Sequence, residues 1–153
     1  MVEFALRSPL AHRRTGSAPA RHTVGGLVIS EASDIGAWLV TARAALDLPD
    51  AVTIAPGEYL AFSAPALPAE EVALVQDMRA ALAFIEVAGD GALDLLGIGP
   101  IALDDQGTAT TRLAGLRATI LWRKAPQPWA RIAIDRFSAD YLWEWLCDRA
   151  ATP

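Results

Sequence analysis

Two histidines, one cysteine and the one adjacent pair of carboxylates in a loop are the groups here whose chemistry could reach beyond packing: His12, His22, Cys147 and Asp104-Asp105. A nucleophilic site needs a Ser or Cys, a base beside it and an acid to orient the base. Both histidines fall within residues 1–22, which mix Arg, Pro, Ser and Gly without apolar period, so a triad would draw its base from the least ordered stretch of the chain. The single cysteine excludes an intrachain disulfide and any cysteine cage for zinc or iron–sulfur, and the spacing of the two histidines matches no zinc-ligand pattern. Asp104-Asp105 reads as a pair of solvated turn residues rather than an acid–base pair.

The glycines give no phosphate loop. Gly89-Asp90-Gly91 lacks a third glycine, and Gly97-Ile98-Gly99 runs into Pro100 with no Gly-Lys-Ser/Thr after it, so helix capping accounts for them better. Of the five tryptophans, Trp38, Trp122 and Trp145 fall on periodic faces and read as core. Trp129, in a Pro-flanked loop, and Trp143, at the edge of a helix face, are the candidate interface anchors. Cys147 reads as a half-buried apolar residue beside that face, with no neighbour to lower its pKa. The residues therefore supply no catalytic, cofactor-binding or metal set.

The elements that would position these groups follow from period and punctuation. Leu27-Val28-Ile29 is a strand-type run. Ser33 is a good N-cap, and Ile35, Trp38, Leu39, Ala42 and Leu46 recur at helical spacing, predicting a helix over 34–46. Val52-Thr53-Ile54 and Glu58–Phe62 flank Ala55-Pro56-Gly57 as a hairpin. Pro68 followed by Glu70 and Glu71 predicts a helix carrying Val72, Val75, Met78 and Leu82. Strands follow at 83–87, 108–113, 118–123 and 132–134, with a short Asp90-capped helix around Leu93 to Leu96. Asp135 or Ser138 caps a last helix over about 138–150, with Asp140, Glu144 and Asp148 as an acidic stripe and Tyr141, Leu142, Trp145 and Leu146 as the apolar face.

Length and charge set the frame. The 153 residues suffice for one domain that buries roughly two-thirds of its unfolded surface. Thirty-one alanines contribute to the 53% apolar fraction, and no run approaches the length of a membrane span, so we expect a cytoplasmic protein with neither span nor secretory leader. Residues 1–22 carry net +3, 23–105 net −11 and 106–153 net +3. An acidic body suits neither nucleic acid nor an anionic membrane. The expected organisation is a basic extended arm over 1–22 and a single α+β domain over 23–153, with an antiparallel or mixed sheet and packed helices. The arm would be solvated or held by an acidic surface.

Several stretches together resemble the gamma-subunit family of heterotetrameric sarcosine oxidase, related to the folate-binding domain of the glycine-cleavage T-protein. The strongest is Arg136-Phe137-Ser138-Ala139-Asp140-Tyr141-Leu142-Trp143-Glu144-Trp145-Leu146. Pro56–Leu60, Ile101–Asp104, Thr111–Gly115 and Leu6–Leu10 support it, in the family's order. The form is shortened, near 34–50 and around Val87–Asp90. The resemblance implies a T-protein-like fold and a non-catalytic subunit of an oxidoreductase performing oxidative demethylation of sarcosine or another N-methyl amino acid. It implies that FAD, FMN, NAD and tetrahydrofolate belong to other, larger flavoprotein subunits, with none bound by this chain. The interface residues expected on this reading are Arg7, Arg13 and Arg14 of the arm with Trp129, Tyr141, Trp143 and Cys147; the isolated chain could self-associate. The alternative is a free-standing folate-binding or aminomethyltransferase-like protein.

Overall fold

Alternation of large aliphatic residues on both faces of the late strands decides the layering. The computed structural model describes residues 8–32, 35–48, 50–62 and 70–152. In chain order the strands are β1 (Arg21–Val24), β2 (Leu27–Glu31), β3 (Trp38–Ala42), β4 (Ala51–Ala55), β5 (Glu58–Ala61), β6 (Val72–Asp77), β7 (Leu82–Ala88), β8 (Gln106–Leu113), β9 (Leu116–Arg123) and β10 (Trp129–Asp135). Helices α1 (Ala92–Leu95) and α2 (Ala139–Ala151) complete it, with 3₁₀ turns at Ala11–Arg13 and Arg136–Ser138.

One sheet runs β1-β2-β7-β10-β9-β8 and the other β4-β5-β3-β6, every pairing antiparallel. Along β7, β9 and β10 one set of alternate residues, Ile85, Val87, Ile120, Trp122, Ile132 and Ile134, shares a core with Leu93 and Leu96 and with Leu142, Trp143 and Leu146 of α2. The intervening residues Phe84, Leu121 and Ala133 face Val52, Leu60 and Phe62 of the smaller sheet. Helices, six-stranded sheet and four-stranded sheet therefore stack as three layers. Each fully buried aliphatic side chain, Ile132 for instance, contributes about 1.5–3 kcal/mol by leaving water. The outer face of the smaller sheet is covered around Val40, where Leu46 donates its N–H to the Tyr59 hydroxyl at 3.0 Å.

The α+β class, the 51–61 hairpin, the late strands and the last helix are as the sequence indicated. Two helices are not. Within 34–46 the structure has strand β3, hydrogen-bonded to β5 on one side and β6 on the other, because β-branched Val40 and Thr41 suit a pleated site and two ladders outweigh a weak helical period. Gly36 is needed there: a Cβ would stand 1.9 Å from the Trp38 ring. Val72 and Val75 lie on strand β6, not on a helix; Pro68, its expected first turn, lies outside the described residues.

Candidate docking surface and adjoining cleft

The basic N-terminal segment and the acidic stripe of α2, read separately in the sequence, meet in the structure. Arg13 donates from Nε to Asp140 and from Nη2 to Glu144, the latter at 2.7 Å, and His12 Nε2 lies 2.9 Å from the same Asp140 oxygen. The Arg13 hydrogen bond holds the Asp140 carboxyl below its usual range; partial burial opposes this, and the charges of Arg13 and His12 add to it. Asp140 and Glu144 in turn hold the Arg13 guanidinium charged. Arg14 reaches Glu31 with Nε at 2.7 Å and Nη2 at 2.6 Å, while the Ser8 hydroxyl and the Ala20 N–H donate to the same carboxylate. Burial pushes Glu31 up, but Arg14, Ser8 and Ala20 together hold it below its ordinary value. Leu10, between these two anchors, is 1% exposed in the main core.

The expected interface residues fare differently. Arg7 lies outside the described residues. Arg13 and Arg14 direct their guanidinium groups to carboxylates of this chain. Trp143 is corrected as well: it is 5% exposed and packs in the chain's own core, because Ala139, Leu142, Trp143 and Leu146 form the inward stripe of α2. Trp129 is half-buried, with the Arg131 guanidinium 4.9 Å and that of Arg123 5.8 Å from its ring centre. Arg131 also donates to Glu86 at 2.9 and 2.6 Å. Cys147 is half-buried; burial pushes its thiol up, Arg13 opposes this and the charges of Asp148 and Glu144 add to it, which leaves a poor nucleophile. Tyr141 stands out at 55% exposed.

Phe137, 94% exposed, is the residue that sequence reasoning passed over. Asp135 accepts its N–H at 2.9 Å and Arg136 donates its own N–H to Ala81 at 2.9 Å, so the start of the 3₁₀ turn between β10 and α2 is pinned, and Phe137 stands in solvent. Its position before the helix and off the apolar stripe was the available signal. Phe137 and Tyr141, four residues apart across the 3₁₀-to-α junction, are both exposed aromatics.

Beside this turn lies a cleft of about 730 Å³, lined by Leu10, Ile35, Leu82 and Phe84 together with Arg14, Glu31, Arg79 and Arg136. Arg79 is engaged by Asp77 through Nε and Nη2. Among the described residues, no group of three or more His, Cys, Asp or Glu converges as a metal site would require, and Asp104 and Asp105 are exposed. No helix among them is long and apolar enough to cross a membrane.

No family model and no curated protein matches the sequence. In fold, the chain is similar to a chain of a multi-subunit oxidase. That neighbour belongs to the heterotetrameric sarcosine oxidase from Corynebacterium sp. U-96 in complex with pyrrole 2-carboxylate, and it superposes with a TM-score of 0.70 at 20% identity. The match covers 95% of this chain and 94% of that one. At that identity the likeness establishes the fold.

Proposed function

We propose that this chain is a non-catalytic, gamma-type subunit of a heterotetrameric sarcosine or N-methyl amino-acid oxidase complex, supporting oxidative demethylation in which the one-carbon unit passes to tetrahydrofolate. The observation that carries this reading is the end-to-end likeness of fold to a chain of such an oxidase, with nearly all of both chains matched. Larger flavoprotein subunits would hold FAD, FMN, NAD and tetrahydrofolate. The docking surface on this reading is the exposed pair Phe137 and Tyr141, an aromatic patch of the kind that anchors interfaces.

The test is purification of the tagged chain from its native host under mild salt, followed by an absorbance spectrum of the eluate. A co-purifying flavoprotein whose flavin is bleached by sarcosine, and which is lost with Phe137→Ala, supports the proposal. A colourless eluate holding only this chain overturns it, and tetrahydrofolate titration of that eluate then examines the free-standing folate-binding reading.

A further inference from the structure

We propose that the cleft beside Arg136 binds a small organic monocarboxylate with an apolar body. Its volume, about 730 Å³, lies within the range of pockets that enclose small ligands. The charges that line it are unequal in availability. Glu31 accepts from Arg14 twice, from Ser8 and from Ala20, so its carboxylate is saturated. Arg79 is closed onto Asp77. Arg136 is half-buried, and its guanidinium meets no carboxylate among the described residues; its backbone N–H donates to the Ala81 carbonyl and its own carbonyl accepts from Ala139.

An arginine lining a cleft without a counter-ion favours a carboxylate, whose two oxygens match its donors. One such cation asks for a single negative charge. The walls ask for the rest: Ile35 and Leu82 are half-buried at the same cleft, apolar surface that an aromatic or branched aliphatic body would cover. A multiply charged anion such as phosphate would gain the same arginine and set its remaining charge against apolar walls and the nearby Glu31. The site is thus distinct from the docking pair, and it can be examined on the isolated chain whatever complex the chain joins.

The experiment is thermal denaturation and calorimetric titration of the purified chain with benzoate, its neutral isostere benzamide and inorganic phosphate. Benzoate is expected to raise the melting temperature saturably, benzamide and phosphate not. Arg136→Gln should weaken benzoate tenfold or more, Arg136→Lys less, and Arg117→Gln, on the exposed face of β9, not at all. Absence of a saturable benzoate response, an equal response to benzamide or phosphate, or unchanged affinity in Arg136→Gln overturns the proposal. If Arg136→Gln does not fold, the Arg136→Lys comparison with methyl shifts of Ile35 and Leu82 in the unmodified chain decides it.

Discussion

Arg14 and Glu31 meet through two nitrogens of the guanidinium, at 2.7 and 2.6 Å, with the Glu31 side chain 4% exposed and that of Arg14 24%. This pair fastens the N-terminal segment to the end of β2, and its energetics depend on pH in a defined direction. The folded pKa of Glu31 lies below its ordinary value, so its contribution is fully present above the ordinary carboxylate range and is lost as pH falls through the folded value. Glu31→Gln removes the carboxylate that accepts twice from Arg14 and should cost on the order of 3 kcal/mol at neutral pH. Melting curves of both proteins across acid pH should converge as the carboxyl protonates; a constant difference would refute the assignment.

Arg13 and its acids Asp140 and Glu144 lie at the surface, the acid side chains 46% and 62% exposed. Arg13→Ala should therefore cost no more than about 1 kcal/mol, and salt near 1 M should erase most of that difference. Hydrogen exchange of residues 8–16 reads the effect locally, since loss of this contact frees the segment while the sheets stay intact.

Trp143 and Phe137 make opposite predictions although both are large aromatics at one end of the chain. Trp143→Ala opens a void among Leu142, Leu146 and the sheet and should destabilise the isolated chain by about 3–5 kcal/mol. Phe137→Ala removes a side chain already in water and should stay within about 0.5 kcal/mol. Urea titration of the two variants separates core from surface.

Gly89 has φ of +119°, and a Cβ there would stand 2.3 Å from the Gly26 carbonyl oxygen in the β1–β2 turn. Gly89→Ala combines backbone strain with a collision against backbone that cannot rotate away, and a loss of about 2 kcal/mol or more is expected in thermal melts.

Cys147 should react with a thiol reagent far more slowly in the native chain at mildly alkaline pH than in denaturant, since burial holds its thiol protonated. Equal rates would place the sulfur in water.

What was legible in the sequence is what is local. The β4–β5, β8–β9 and β9–β10 hairpins carry their turns between their strands, and α2 carries its cap and its stripe within one run of residues. Strands β3 and β6 were hidden because the partners that make them strands lie far along the chain and their valines also satisfy a helical spacing. For Trp143, the apolar arc of α2 is broader than its buried stripe, and which edge turns inward is set by the sheet beneath it. The fate of the arginines was hidden in the same way: the acids that receive Arg13 were visible as a stripe, but nothing local joins residue 13 to residue 140.

That last pairing has a consequence for synthesis. The partners of Arg13 sit 127 and 131 residues downstream, and β2 and β7 wait for β10 to complete the middle of the large sheet. While the chain is being made, Arg14 can already reach Glu31, but Arg13 has neither of its acids until α2 has emerged. The backbone around Arg13 should thus be more open to protease on nascent chains stalled before α2 than on those in which α2 has emerged.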